Sequence, residues 1–500
     1  MNRFVLSLFV LFIASFNLTA QTKTSFIDML NKPNPWVDSV FKKLSNKEKI
    51  GQLFMVRAQT NKGAAYSAKV AKLIAENQVG GIVFFQGGPG RQAALTNQYQ
   101  QLVKVPLMIA MDGEWGLGMR LDSTISYPYQ MTLGAIQNNQ LIYRIGQQVA
   151  KDFKRLGMHI NFAPTVDINN NANNPVINYR SFGENKFNVA DKGIAYMKGM
   201  QDEGIFTTAK HFPGHGDTDV DSHYDLPVLP FSRTRLDTLE MYPFKKLMAS
   251  GATGVMIGHM NIPSLDPTPN LSSSLSRPIV TGILKNELGF KGLIVSDAME
   301  MKGAIKYFPN GKADVKALIA GLDVIELSED TERAIKMIKR AIRQKQISTA
   351  EIDAKVKKIL AAKYWMGLNN SQYVSEQNIY QDLNRNESKT LIQQLTDNAV
   401  TVVKGANAFP LRTDFVRKTA ILNIGPSTNT RFSNILRGLS PNTVVFNIPK
   451  NVSISELANV RAKLKQYDQI IMAIVDTRLR PGGKLDFNSH LIQFISEHST

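Results

Sequence analysis

The sequence predicts a (β/α)₈ barrel of the TIM type followed by a second α/β unit, and three observations carry that expectation. Eight short apolar runs, bounded by turn residues, alternate with longer segments of helical spacing over roughly 300 residues, the length such a barrel needs. The runs are mostly β-branched or aromatic and lack strict alternation, as strands buried on both faces do. Polar residues recur just past five of the runs, at the strand ends where barrels of this kind hold their ligands. An open doubly wound sheet is the alternative, and the count of eight weighs against it.

The predicted strands are 51–56, 80–85, 106–111, 159–166, 206–209, 254–257, 292–295 and 323–327. Between them, helical spacing appears at 66–77, 140–156, 188–203, 234–249, 276–288 and 314–320, and helices at 330–345 and 349–365 close a domain assigned to 21–367. Residues 368–386, rich in Asn, Gln, Ser and Tyr, read as a linker. A second α/β sandwich domain is expected over 387–500, with a helix at 388–398 and strands at 400–403, 419–424, 443–448 and 470–475. It ends just after a helical stretch, where a further strand would be expected, so it reads as truncated at its C-terminus.

Residues 1–20 carry Arg3, an apolar run over 4–16, and Leu18-Thr19-Ala20 before Gln21, which predicts a cleaved signal peptide; a retained signal anchor is the alternative. No other stretch approaches the ~18 apolar residues of a membrane span. The expectation is an exported protein, periplasmic or extracellular, with no stable membrane anchor after cleavage. The absence of cysteine excludes disulfides, thiolate metal sites and a cysteine nucleophile. The net charge of +18 comes from scattered Lys and Arg with no basic run, which reads as a solvated surface; no nucleic-acid partner is expected.

The densest chemistry lies in Lys210-His211-Phe212-Pro213-Gly214-His215-Gly216-Asp217-Thr218, followed by Asp221-Ser222-His223. This stretch gathers three of the seven histidines with three aspartates at the end of the fifth predicted strand. The other strand-end polar residues are Asp112, Asp167, His259 and Asp297. Asp297, in Leu293-Ile294-Val295-Ser296-Asp297-Ala298-Met299, suits a nucleophile facing the barrel mouth or a helix N-cap; spacing alone leaves the two even. Asp221 and His223 suit an imidazole oriented by a carboxylate and able to act as acid and then base.

With these motifs the sequence resembles glycoside hydrolase family 3, in particular its β-N-acetylhexosaminidase branch, over Lys49 to about Gly367. The resemblance implies Asp297 as nucleophile, His223 as proton donor with Asp221 as its partner, and sugar binding by Asp112, Arg120, Arg180, Lys210 and His211. No cofactor is expected, and Lys210 beside the histidines argues against a metal site. The resemblance further implies removal of terminal, non-reducing β-linked N-acetylglucosamine through a covalent glycosyl-aspartate, from N-acetylglucosamine-containing glycans or muropeptides. His215 and His259 are expected to be structural. One departure stands out: where many members have Asp-x-Glu-Gly-Gly-Arg, this chain has Asp112-Gly113-Glu114-Trp115-Gly116-Leu117-Gly118, so Trp115 is expected to wall the sugar site. In β-glucosidases of the family the second domain lends the acid/base carboxylate; here the dyad makes a structural second domain the more economical reading. The alternatives are a β-glucosidase or other exo-glycosidase, an N-acetylglucosaminide phosphorylase, a metallohydrolase built on the histidine cluster, and a silent wall-binding module.

Overall fold

The computed structural model describes residues 24–370, 373–405, 417–440, 442–479 and 485–498. The predicted leader at 1–20 lies outside the described residues. Eight parallel strands run β1 (Phe54–Ala58), β2 (Gly81–Phe84), β3 (Met108–Met111), β4 (Ile160–Asn161), β5 (Phe206–Phe212), β6 (Gly254–Ile257), β7 (Leu293–Ser296) and β8 (Ile325–Glu326). Consecutive strands pair from β1 to β7, β1 also pairs with β8, and a bridge between Val295 and Val324 brings β7 to β8. This is the expected barrel. Apart from Arg57, every residue of these strands is buried, which is why the apolar runs do not alternate.

A helix follows each strand: Ala64–Asn77, Pro89–Gln100, Asn139–Arg155, Lys186–Asp202, Tyr242–Ala249, Pro278–Glu287, Lys312–Ala320 and Thr331–Arg343. Pro89–Gln100, rich in Gln and Asn, carries too weak an apolar stripe to be legible in the sequence. The segment expected to be one helix over 234–249 is two, Arg233–Thr238 and Tyr242–Ala249, because Pro243 has no N–H to donate and starts a new first turn. The fourth strand is shorter than 159–166, since Pro164 cannot donate to the ladder. The fifth is longer than 206–209, so Lys210 and His211 stand on the strand itself, beside a register shift against β6 between Ala209 and Phe212. Such a bulge re-aims side chains near a site.

The segment read as a linker is packed on the barrel. Asn97 holds the backbone of Val374 through two hydrogen bonds (2.8 and 2.9 Å), and Arg155 pairs with Asp382 at 2.7 Å. The helix expected to open the second unit, Asn386–Ala399, also packs on the barrel: Leu391 and Leu395 join the barrel core, and Arg385 pairs with Asp152 at 2.7 Å. No strand forms at 400–403, where Val400 and Val403 are exposed. Among the described residues the second sheet has three parallel strands in the order β10-β9-β11, formed by β9 (Thr419–Gly425), β10 (Thr443–Pro449) and β11 (Gln469–Ile474). Ala420, Leu422 and Ile424 face a separate core with Leu457, Leu464, Leu491 and Phe494 from the helices Ile454–Leu464 and Ser489–Glu497. On the opposite face Asn423 bonds Ser433 of the helix Arg431–Leu439 at 3.0 Å, giving the sheet a helical layer on each side.

Candidate active site

The loop after β3 is clamped from β4. The Asn161 amide accepts from the Gly113 N–H (2.9 Å) and donates to the Gly113 carbonyl (3.1 Å), while a Cβ at position 113 would meet the Phe153 ring at 2.7 Å. This fixes Asp112 and Glu114 on either side of a residue that must be glycine. Asp112 receives Lys210 Nζ at 2.7 Å on Oδ1 and Arg120 at 2.8 Å on Oδ2. Glu114 receives Lys210 Nζ at 2.9 Å and Arg180 at 2.6 Å. The side chains of Lys210 and Glu114 are only 2% and 0% exposed, so the network is set in a low-dielectric surround. Burial alone would raise both carboxyls, but Lys210 and Arg120 hold Asp112 well below the ordinary range, and Arg180 and Lys210 hold Glu114 at about 2. Two anions thus share three cations, and all are prearranged hydrogen-bonding groups for a polyhydroxylated ligand.

His211 is oriented by Asp167, which faces its Nδ1 at 2.7 Å and also accepts the backbone N–H groups of His211 (3.1 Å) and His215 (2.7 Å). Nε2 is left as the ring nitrogen available to a ligand. Although Asp167 is buried, the adjacent His211 and His215 keep it below its ordinary pKa.

Asp297 follows β7. Its backbone N–H donates to the Ile257 carbonyl at 2.9 Å, and its Oδ1 accepts the Ala298 N–H at 2.8 Å. The next helix begins only at Lys302, with Met301 as its N-cap, so Asp297 does not serve as a helix cap. Burial works against its anion, but His211, His259 and the Ala298 N–H outweigh it and lower its pKa. His259 is itself fully buried, with Nδ1 at 2.8 Å from Ser274 Oγ and Nε2 at 3.1 Å from the Ala298 carbonyl.

Above this floor, His223 Nδ1 lies 2.7 Å from Asp221 Oδ1, which also accepts the His223 backbone N–H at 2.9 Å. The loop carrying them is tied down at the intervening residue: Ser222 Oγ is 3.0 Å from His215 Nε2, whose Nδ1 is 2.8 Å from Thr218 Oγ1. The Ser222 and His223 carbonyls accept the N–H groups of Gly303 (3.0 Å) and Lys302 (3.3 Å), from the segment that follows Asp297. Burial, with His211 alongside, lowers His215 to about 4, so it is a neutral bridge near pH 7.

A cavity of about 300 Å³ joins these groups, the size of a site for a small ligand. Asp112, Arg120, Arg180, Lys210, His211, His223 and Asp297 all line it; Asp221 stands behind His223. Trp115 also lines it, held edge-to-face against Tyr129 with ring centroids 4.8 Å apart. Every lining residue falls between Arg57 and Glu326, within the barrel. Among the described residues, no three His, Cys, Asp or Glu side chains are grouped to hold a metal ion, and no helix is long and apolar enough to cross a membrane.

Sequence reasoning missed Glu300 and Glu326, which line the pocket, and Glu114, which is buried beside it in the ion-pair network. Glu114 was signalled by its place two residues after Asp112. Glu326 stands at the end of β8, where the strand-end rule that picked out the other positions applied equally.

A model of the glycosyl hydrolase family 3 N terminal domain matches residues 45–362. "Beta-hexosaminidase A" of Pseudoalteromonas piscicida is 34% identical over 279 residues, a match covering 51% of this chain and 47% of that protein, so the chain spans about half the length of this relative. "Beta-N-acetylglucosaminidase/beta-glucosidase" of Cellulomonas fimi is 25% identical over 458 residues, covering 90% and 76%. Among solved structures, a glycoside hydrolase family 3 beta-N-acetylglucosaminidase from Paenibacillus sp. str. FPU-7 superposes with a TM-score of 0.72 at 30% identity, covering 89% of each chain. With a family match over well more than half of its length and a barrel to go with it, the chain belongs to glycosyl hydrolase family 3.

Proposed function

We propose that the chain is an exo-acting, retaining β-N-acetylhexosaminidase with Asp297 as nucleophile and His223, oriented by Asp221, as acid/base. The observation that carries this reading is the 2.7 Å contact between His223 Nδ1 and Asp221 on a loop lining the same cavity as Asp297. With Nδ1 committed to the carboxylate, Nε2 is the atom that exchanges a proton with the substrate. Asp297 attacks the anomeric carbon while His223 protonates the departing oxygen, so one bond to that carbon forms as the glycosidic bond breaks. Neutral His223 then takes a proton from water, whose oxygen displaces Asp297 and restores both groups. Asp112, Arg120, Arg180, Lys210 and His211 bind sugar hydroxyls.

The substrate is a terminal, non-reducing β-linked N-acetylglucosamine, from muropeptides or related glycans. The names borne by the Pseudoalteromonas and Paenibacillus proteins support the acetamido sugar, and the charge of +18 suits acidic wall fragments. The apolar leader at 1–20 supports export to the periplasm or beyond. The double name of the Cellulomonas protein favours β-glucoside cleavage as a second reading.

The test is the initial rate on an aryl β-N-acetylglucosaminide beside the matching β-glucoside, with the protein lacking residues 1–20. A strong preference for the acetamido sugar is expected, and a preference for the glucoside would overturn the assignment. Repeating the assay with inorganic phosphate and identifying the released sugar separates hydrolysis from phosphorolysis.

A further inference from the structure

Glu326 is a pocket carboxyl that neither the ion-pair network nor the dyad uses. Its backbone is fixed on both sides: its N–H donates to Ser296 Oγ at 2.8 Å and its carbonyl accepts the Met299 N–H at 2.9 Å. The residue is 2% exposed and lines the cavity beside Asp112 and Asp297, and Oε2 is buried with no hydrogen-bond partner. A polar group withdrawn from water in this way is costly unless a ligand completes it.

The surrounding charges decide its form. Burial opposes an anion here most strongly, and Asp112 after β3 and Asp297 after β7 both add to that as negative neighbours. Lys210 from β5 and Arg57 from β1 favour the anion, yet Lys210 is held by Asp112 and Glu114, and Arg57 pairs with Glu300. The balance raises the Glu326 pKa well above the ordinary carboxylate value.

We propose that Glu326 is a sugar-binding residue whose carboxyl bonds one hydroxyl of the ring held over Asp297. The inference rests on reading this cavity as the sugar site. A carboxylic acid that keeps its proton offers one donor and one acceptor, the complement of an alcohol, whereas the neighbouring carboxylates only accept. Keeping the proton also spares Asp297 a second negative neighbour during attack.

The test uses the Asp297→Asn protein, which reports binding without turnover, with and without Glu326→Ala or Glu326→Gln. Calorimetry measures the dissociation constants of N-acetylglucosamine and its 3-, 4- and 6-deoxy analogues. Glu326→Ala is expected to weaken the parent sugar by about tenfold, the worth of one buried hydrogen bond, and to leave unchanged the binding of the analogue lacking the contacted hydroxyl. Glu326→Gln, which still donates and accepts, should retain most of the affinity. Equal losses across all analogues, or no loss on any, would overturn the proposal, since a merely structural residue cannot distinguish hydroxyl positions. Should Glu326→Ala fail to fold, the pH profile of Glu326→Gln decides: affinity with Glu326 should fall as rising pH removes its proton, the Gln variant should stay flat, and coincident profiles would overturn the proposal. A protein that binds the sugars as described but cleaves neither aryl glycoside refutes the assigned activity and leaves this role intact, whereas absence of any sugar binding overturns both.

Discussion

The floor of the pocket and the loop above it differ in how firmly their charges are held. On the floor, Lys210 and Glu114 are 2% and 0% exposed and locked with Asp112, Arg120 and Arg180 at 2.6–2.9 Å. On the loop, the dyad makes an equally short contact of 2.7 Å, but the His223 side chain is 58% exposed and Asp221 22%. Groups that bind a sugar gain from being fixed before it arrives, because the cost of ordering them is met in folding. A group that gives a proton and later takes one must serve a departing glycan and then a water molecule, which suits an exposed side chain that both can reach. Under the proposed function the floor supplies affinity and the loop proton transfer, and substitutions in each should separate the two.

The largest expected effect belongs to Asp297→Asn, which removes the proposed nucleophile. Turnover of an aryl N-acetylglucosaminide should fall by about 10⁴-fold or more, while the melting temperature stays near that of the parent.

Glu114→Gln strikes the floor. It leaves buried Arg180 and Lys210 short of an anion and should destabilise the fold by about 3 kcal/mol in denaturant unfolding, with a raised KM. Because folding lowers the Glu114 pKa to about 2, below that of the unfolded chain, its ionised form adds stability above the ordinary carboxylate range. That contribution is lost as pH falls toward 2, so the gap between parent and variant should close on acidification.

Asp221→Asn strikes the loop. It should lower kcat about 100-fold through a misoriented, uncompensated His223, with little change in melting temperature because the pair is exposed. A large loss of stability here would contradict the division between floor and loop.

The smallest effect is expected of His215→Ala, which releases Ser222 from its tether. About tenfold should be lost from kcat with KM nearly unchanged, and His215→Asn, which can still bond a hydroxyl, should restore part of it. A change confined to KM would instead place His215 with the floor.

The barrel was legible because strands buried on both faces leave continuous apolar runs, and much of the pocket lining was legible because polar side chains gather at their ends. What failed did so for local reasons. Helix 386–399 was assigned to the second unit because sequence order does not say which core Leu391 and Leu395 enter. Residues 400–403 have strand composition, yet no neighbouring strand pairs with them among the described residues. Glu114 was passed over because a lone glutamate in a loop looks solvated until Arg180, 66 residues away, is brought against it. Glu326 was hidden in an apolar run so short that its last polar residue read as part of the strand.

The most direct test of the loop as proton donor compares kcat/KM for the parent and His223→Ala across aryl β-N-acetylglucosaminides of graded leaving-group pKa. If His223 protonates the leaving oxygen, the variant should match the parent most nearly on the best leaving group and fall away steeply as leaving groups worsen. Parallel dependences in the two proteins would contradict the account and move the acid to another residue.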